Sequence, residues 1–130
     1  MSTYKEALFE AFVWSQVVEE AVGDLVRQEA GISRKAVRRK SFHGLIERLE
    51  PHVEPCVYEA LHALRKDRNT VVHRSSYIMS ILGAAAAPED FEDEKHEDTL
   101  RLGRIKRDAG DLFGYLIERL TADDEPRDEA

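Results

Sequence analysis

The stretch Leu64-Arg65-Lys66-Asp67-Arg68-Asn69-Thr70-Val71-Val72-His73-Arg74 decides how the rest of the chain reads. An apolar stripe reaches it through Val57, Leu61 and Leu64, with helical spacings of four and three. The next stripe position carries Arg68 instead of an apolar residue, and the stripe resumes at Val71 and Val72 before His73. A guanidinium on a core-facing seam is costly unless a partner satisfies it. Arg68 is kept for structure or for chemistry, and both readings stand open at this point.

Outward from this block the chain reads as helices. Glu54-Pro55 opens the helix that carries the stripe, with proline at the first helical position, and it should run from Val57 to about His73. Upstream, a first helix from Tyr4 to about Glu29 carries Leu8, Ala11, Phe12, Ser15, Val18, Val22 and Leu25, widened by Trp14, Val17 and Ala21. Thr3-x-x-Glu6 has the form of a capping box, and Gly31 is a stop signal. Ser33 to Lys40 holds five cations in the seven residues from Arg34. A short amphipathic helix with Phe42, Leu45, Ile46 and Leu49 follows and stops at Pro51.

Downstream, Ser75-Ser76 reads as a break, and Tyr77 to Ala87 as a short helix or a packed loop. Pro88 to Asp98 is an acidic run, either a loop or the first turns of the last helix. That helix is plain from Thr99 to Leu120, with Leu102, Ile105, Ala109, Leu112 and Leu116 as its seam. An acidic tail closes the sequence, so residues 1–121 are expected to form one domain and 122–130 a frayed end. The fold class is all-α, an antiparallel four-helix bundle of four to five helices.

The chain of 130 residues suits one core. Its apolar fraction is 42 % and its charged fraction 35 %, the balance of a soluble, helix-rich protein. A net charge of −7 argues against a general polyanion binder but leaves room for a local basic face. Cys56 is the one cysteine, so an intrachain disulfide is excluded and a reducing cytoplasm is the natural compartment. Beside Pro55 and Val57 it is expected as a small buried hydrophobe. No secretory signal and no membrane span are read.

Arg68-Asn69-Thr70-Val71-Val72-His73 resembles the signature of the HEPN superfamily (higher eukaryotes and prokaryotes nucleotide-binding domain). In that family an Arg, often followed by a polar residue, is separated from a His by four to six intervening residues near the end of a long helix. The flanking Lys66-Asp67 and Arg74 are also similar. The motif is loose: Arg38-Arg39-Lys40-Ser41-Phe42-His43 is a second match in this chain. The first match is preferred because Asn69 follows the Arg and an apolar seam flanks it. Five residues of helix turn through ~500°, so Arg68 and His73 point ~140° apart, while Asn69 and His73 share a face.

The resemblance implies a homodimer with a composite site and metal-independent RNA cleavage, of the kind used by toxins and defence effectors under an antitoxin or regulatory partner. His73 would be the general acid or base, Arg68 would stabilise charge on the phosphorane, and Asn69 would orient His73 or hold a phosphate oxygen. Arg65, Lys66 and Arg74 would contact the substrate. No cofactor and no metal are expected, because His43, His52, His62 and His96 show no ligand spacing beyond coincidence. Tyr77 stands two residues too far from His73 for the His-x-Tyr of HepT-type toxins.

Two rival readings remain. One is a catalytically silent HEPN module that binds a partner protein or a nucleotide. The other is a helical dimerisation protein in which Arg68 pairs with Glu19 or Glu20 of the first helix and fixes register. Arg34, Lys35, Arg38, Arg39 and Lys40 would contact phosphates or form a solvated junction.

Overall fold

In a computed structural model, which describes residues 4–83 and 92–122 and the side chains of 6–73 and 99–122, the chain is all-α. The described elements are α1 (Tyr4–Ala30), α2 (Arg34–Arg38), α3 (Phe42–Leu49), a 3₁₀ turn (Glu50–His52), α4 (Pro55–Gly83) and α5 (Glu92–Ala122). Local chemistry sets their ends. Gly31 takes φ of 69°, a left-handed conformation that suits glycine, and its N–H donates to the Arg27 carbonyl at 3.0 Å. The Ser33 hydroxyl accepts from the Ala36 N–H, and the Ser41 hydroxyl from the Gly44 N–H, each at 3.1 Å. These two caps make the basic junction into the five-residue helix α2.

The apolar stripes meet in one core. Val18, Val22 and Leu25 of α1 pack with Leu45, Ile46 and Leu49 of α3, Leu61, Leu64 and Val71 of α4, and Leu102, Ile105 and Leu116 of α5. Trp14 is half-buried and meets Phe113 edge-on, with ring centroids 6.0 Å apart.

Long-range pairs give the helix directions. Glu10 meets Lys106 at 2.6 Å and Glu29 meets Arg119 at 3.2 Å, so α1 and α5 run the same way. Glu47 of α3 meets Tyr58 and His62 of α4, while Phe42 at the start of α3 meets Arg68, so α4 runs against α3. Counting α2 as a pass of its own, the chain makes an odd number of passes, which puts its first and last helices parallel. The antiparallel four-helix expectation left α2 uncounted.

Two local expectations differ from the structure. Ser75-Ser76 does not break the helix, which continues to Gly83. Cys56 is exposed, because it sits in the first turn of α4 before the buried stripe begins at Val57. The last helix starts at Glu92, so of the two readings of the acidic run the helical one holds for residues 92–98. Thr3, residues 84–91 and the tail 123–130 lie outside the described residues. Among the described residues no helix is long and apolar enough to cross a membrane.

Ser15 lies on the core seam with 1 % exposure, and its hydroxyl has no partner among the described residues. An unpaired buried hydroxyl costs about 1–3 kcal/mol. Ser15→Ala is expected to raise the unfolding free energy by about 1 kcal/mol in urea titrations. A midpoint at or below that of the wild type would show that the hydroxyl is satisfied.

Candidate functional site

Arg68 projects from α4 into the seam with α1 and α3. Its Nη1 donates to Glu19 Oε2 at 2.8 Å, and its guanidinium carbon lies 5.0 Å from the centroid of the Phe42 ring. The two charged side chains keep only 22 % and 28 % exposure, so solvent screens this pair less than an open surface pair. Of the two acidic partners considered from sequence, Glu19 takes the contact, while Glu20 is exposed and accepts from Gln16 Nε2 at 3.3 Å.

Asn69 and His73 lie on a different face, and both are exposed. With Lys66 they form a strip at spacings of three and four, one side of the helix by its geometry. His62 continues that strip by one further turn toward the helix start. Arg68 stands about 140° around the helix from His73 and about 7.5 Å along it. One chain therefore does not bring Arg68 and His73 together by helix geometry alone. Arg65 is half-buried, and its Nε donates to His62 Nδ1, three residues earlier on α4, at 3.2 Å. Arg74 lies within α4, but its side chain and that of Tyr77 are outside the described residues. The second match, Arg38 to His43, is divided by the Ser41 cap into the end of α2 and the start of α3.

The structure also gathers a cluster that sequence spacing did not reveal. His43 and Glu47 stand one turn apart on α3, and Glu47 Oε1 receives three groups. Tyr58 donates its hydroxyl at 2.7 Å, His62 Nε2 lies at 2.9 Å and His43 Nε2 at 3.4 Å. The His62 ring is edge-on to both His43 and Tyr58, with centroids 5.1 and 4.7 Å away. An arginine Nε–H can only donate, so His62 Nδ1 holds the lone pair and Nε2–H donates to Glu47. The hydrogen bond from Tyr58, then that from His62, holds the Glu47 carboxyl below its usual range. The same bond, aided by desolvation, pushes the Tyr58 phenol up to about 12. The His43-x₃-Glu47 spacing was a legible half of this cluster; the approach of α4 was not.

The basic residues of α2 and its flanks are exposed, but Arg34, Arg38 and Lys40 face Glu19, Glu20 and Asp24 across a cleft of about 400 Å³. Acidic groups of α1 thus offset much of that basic run. No family model matches the chain, and no curated protein or solved structure matches it.

Two outcomes are expected from this geometry. In a double-mutant cycle with Arg68→Ala and Glu19→Ala, Arg68→Ala alone should cost about 1–2 kcal/mol, with a coupling energy near 1 kcal/mol. Additive single effects in chemical denaturation would deny the ion pair a role. In chelator-treated protein, the Tyr58 phenol should titrate near 12 by NMR and fall back toward 10.0 in Glu47→Ala. By linkage, a phenol raised on folding adds stability below pH 10.0, lost as pH rises through about 12. The lowered Glu47 carboxyl adds stability above its unfolded value, lost as pH falls through the lowered one.

Proposed function

We propose that the chain is a metal-independent endoribonuclease of HEPN type, with helices arranged as in that family and a site completed in a homodimer. The observation that carries the reading is the exposed strip of α4, on which Lys66, Asn69 and His73 face solvent one and two turns apart. His73 has no partner among the described residues, so its ring is available to a substrate.

The chemistry runs through the substrate's own ribose. The 2′-oxygen attacks the adjacent phosphorus while a base takes its proton. The bond from phosphorus to the 5′-oxygen breaks, and that oxygen receives a proton. The products are a 2′,3′-cyclic phosphate and a 5′-hydroxyl end, so DNA, lacking the nucleophile, is inert. His73 acts as the base or the acid, since imidazole exchanges protons readily near neutral pH. Asn69, one turn before it, orients the ring or holds a phosphate oxygen. Arg68 engages Glu19 through Nη1, and a guanidinium carries five N–H donors, so donors remain for a phosphate oxygen. Lys66 binds the flanking phosphate, and Arg74 is assigned the same role from the motif. Arg65 is assigned that role as well, and its bond to His62 through Nε leaves its Nη donors for it. A second copy, related by a two-fold axis, brings a further set of these groups to the same cleft. An activity of this kind is that of a cytoplasmic toxin or defence effector, held in check by an antitoxin or other regulatory partner.

A second reading is favoured by the Arg68 contacts. A guanidinium paired with Glu19 and stacked on Phe42 already has a structural role, as it would in a silent module that binds a partner.

The deciding measurement is cleavage of varied RNAs by purified protein in EDTA, wild type beside His73→Ala, with end-group analysis. His73 is exposed, so its replacement should leave the fold intact while lowering the rate by about 10²–10⁴-fold. Cyclic phosphate ends from the wild type alone would establish the nuclease. A folded wild type that leaves every RNA intact would select the silent module.

A further inference from the structure

We propose that His43, Glu47 and His62 form a binding site for a divalent transition-metal ion of the zinc class, tying α3 to α4. The inference stands on the cluster's own geometry and does not rest on the ribonuclease reading. One ligand atom from each of the three residues lies within 4.8 Å of the other two. His43 Nε2 and His62 Nε2 are 3.4 and 2.9 Å from the same Glu47 oxygen. In a tetrahedral zinc site, with bonds of about 2.0–2.1 Å, neighbouring ligand atoms are about 3.3 Å apart. The two separations from Glu47 are close to that spacing before any ion arrives.

The donor set selects the class of metal. Two imidazoles and one carboxylate suit zinc and its neighbours, while magnesium and calcium take oxygen ligands. The supports are in place as well. His43 and Glu47 are held one turn apart on a capped helix, so their spacing is fixed by α3 itself. Tyr58 donates to Glu47 from outside the ligand set, which orients the carboxylate. The groove in front of the cluster is open to solvent and also lined by Glu59, Ala63 and Lys66, leaving room for water as a fourth ligand.

Binding carries a defined proton shift. In the metal-free state His62 holds its proton on Nε2, between the ring and Glu47. The ion needs the Nε2 lone pair, so that proton goes to solvent and Nδ1 takes one up. The ring stays neutral throughout. Protonated Nδ1 no longer accepts from Arg65, whose guanidinium is released. A metal at this site thus replaces the two hydrogen bonds of the His62 ring with a metal bond and frees a cation beside Lys66.

The test uses full-length protein stripped with chelator and titrated with zinc chloride alone. Calorimetry is expected to show one ion per chain with micromolar affinity, and the thermal midpoint should rise. NMR of His62 should report a switch from an Nε2-protonated to an Nδ1-protonated ring. His43→Ala and Glu47→Gln should abolish the micromolar event, while His73→Ala retains it. Circular dichroism checks that the exposed His43 and Glu47 replacements leave the helices intact. Absence of binding up to millimolar zinc overturns the site. Binding that survives in His43→Ala does so too, as does a half-stoichiometric ion that brings two chains together.

Discussion

Three helices are referred to one another through the guanidinium of Arg68. It reaches Glu19 on α1 and covers Phe42 at the start of α3, from the middle of α4. A hydrophobic seam alone fixes helix register loosely, because apolar side chains repack when a helix slides. An ion pair at 2.8 Å does not tolerate such a slide: a shift of one turn, about 5.4 Å, would break both contacts at once. The other long-range pairs are weaker anchors. Glu10 and Lys106 are roughly half exposed, where side-chain entropy and screening absorb most of the gain. Arg119 holds Glu29 and the His52 carbonyl at one end of the molecule only. The register of α4 against α1 and α3 thus depends on a residue that breaks the apolar pattern.

That break was visible in the sequence, and so was most of the core. The stripes through Val18, Val22 and Leu25, through Leu61 and Leu64, and through Leu102, Ile105 and Leu116 are all buried as spaced. What failed to show has physical reasons. Ser75-Ser76 looked like a stop, but a serine costs a helix interior only about half a kcal/mol. A stop needs a glycine in the left-handed region or a proline, as at Gly31 and Pro51. The helix α2 was missed because a five-residue helix has no periodicity to read, and it exists through the Ser33 cap. Missing it hid the parallel sense of α1 and α5. The pairing of Arg68 with Glu19 was legible as a choice between neighbours of similar depth. The His43, Glu47, Tyr58 and His62 cluster was not legible, since it joins residues whose approach is set by how α3 and α4 pack.

The faces of α4 carry separate tasks. Arg68 and the leucines face inward, while His62, Lys66, Asn69 and His73 follow one another along an outer strip at spacings of four, three and four. The strip begins in the imidazole cluster and ends at the exposed His73, about 16 Å further on. Arg65 flanks this line and donates to His62, the strip residue nearest the helix start.

The Glu19 partner limits what Arg68 contributes to any phosphate chemistry. A carboxylate at 2.8 Å cancels most of the guanidinium's field at the distance of an incoming polyanion. What remains is a set of oriented N–H donors, held in place by the pair and by the Phe42 ring. Such donors stabilise an oxyanion by hydrogen bonding when they are fixed before the charge develops. They do not attract RNA from a distance, and a chain of net charge −7 with its basic junction facing α1 acids does not either. In the proposed ribonuclease, attraction would come from Lys66 and the cations beside it on α4. A single chain therefore has positioned donors and an accessible imidazole on different faces, so under the ribonuclease proposal a second chain would have to supply one of the two groups at a given phosphate.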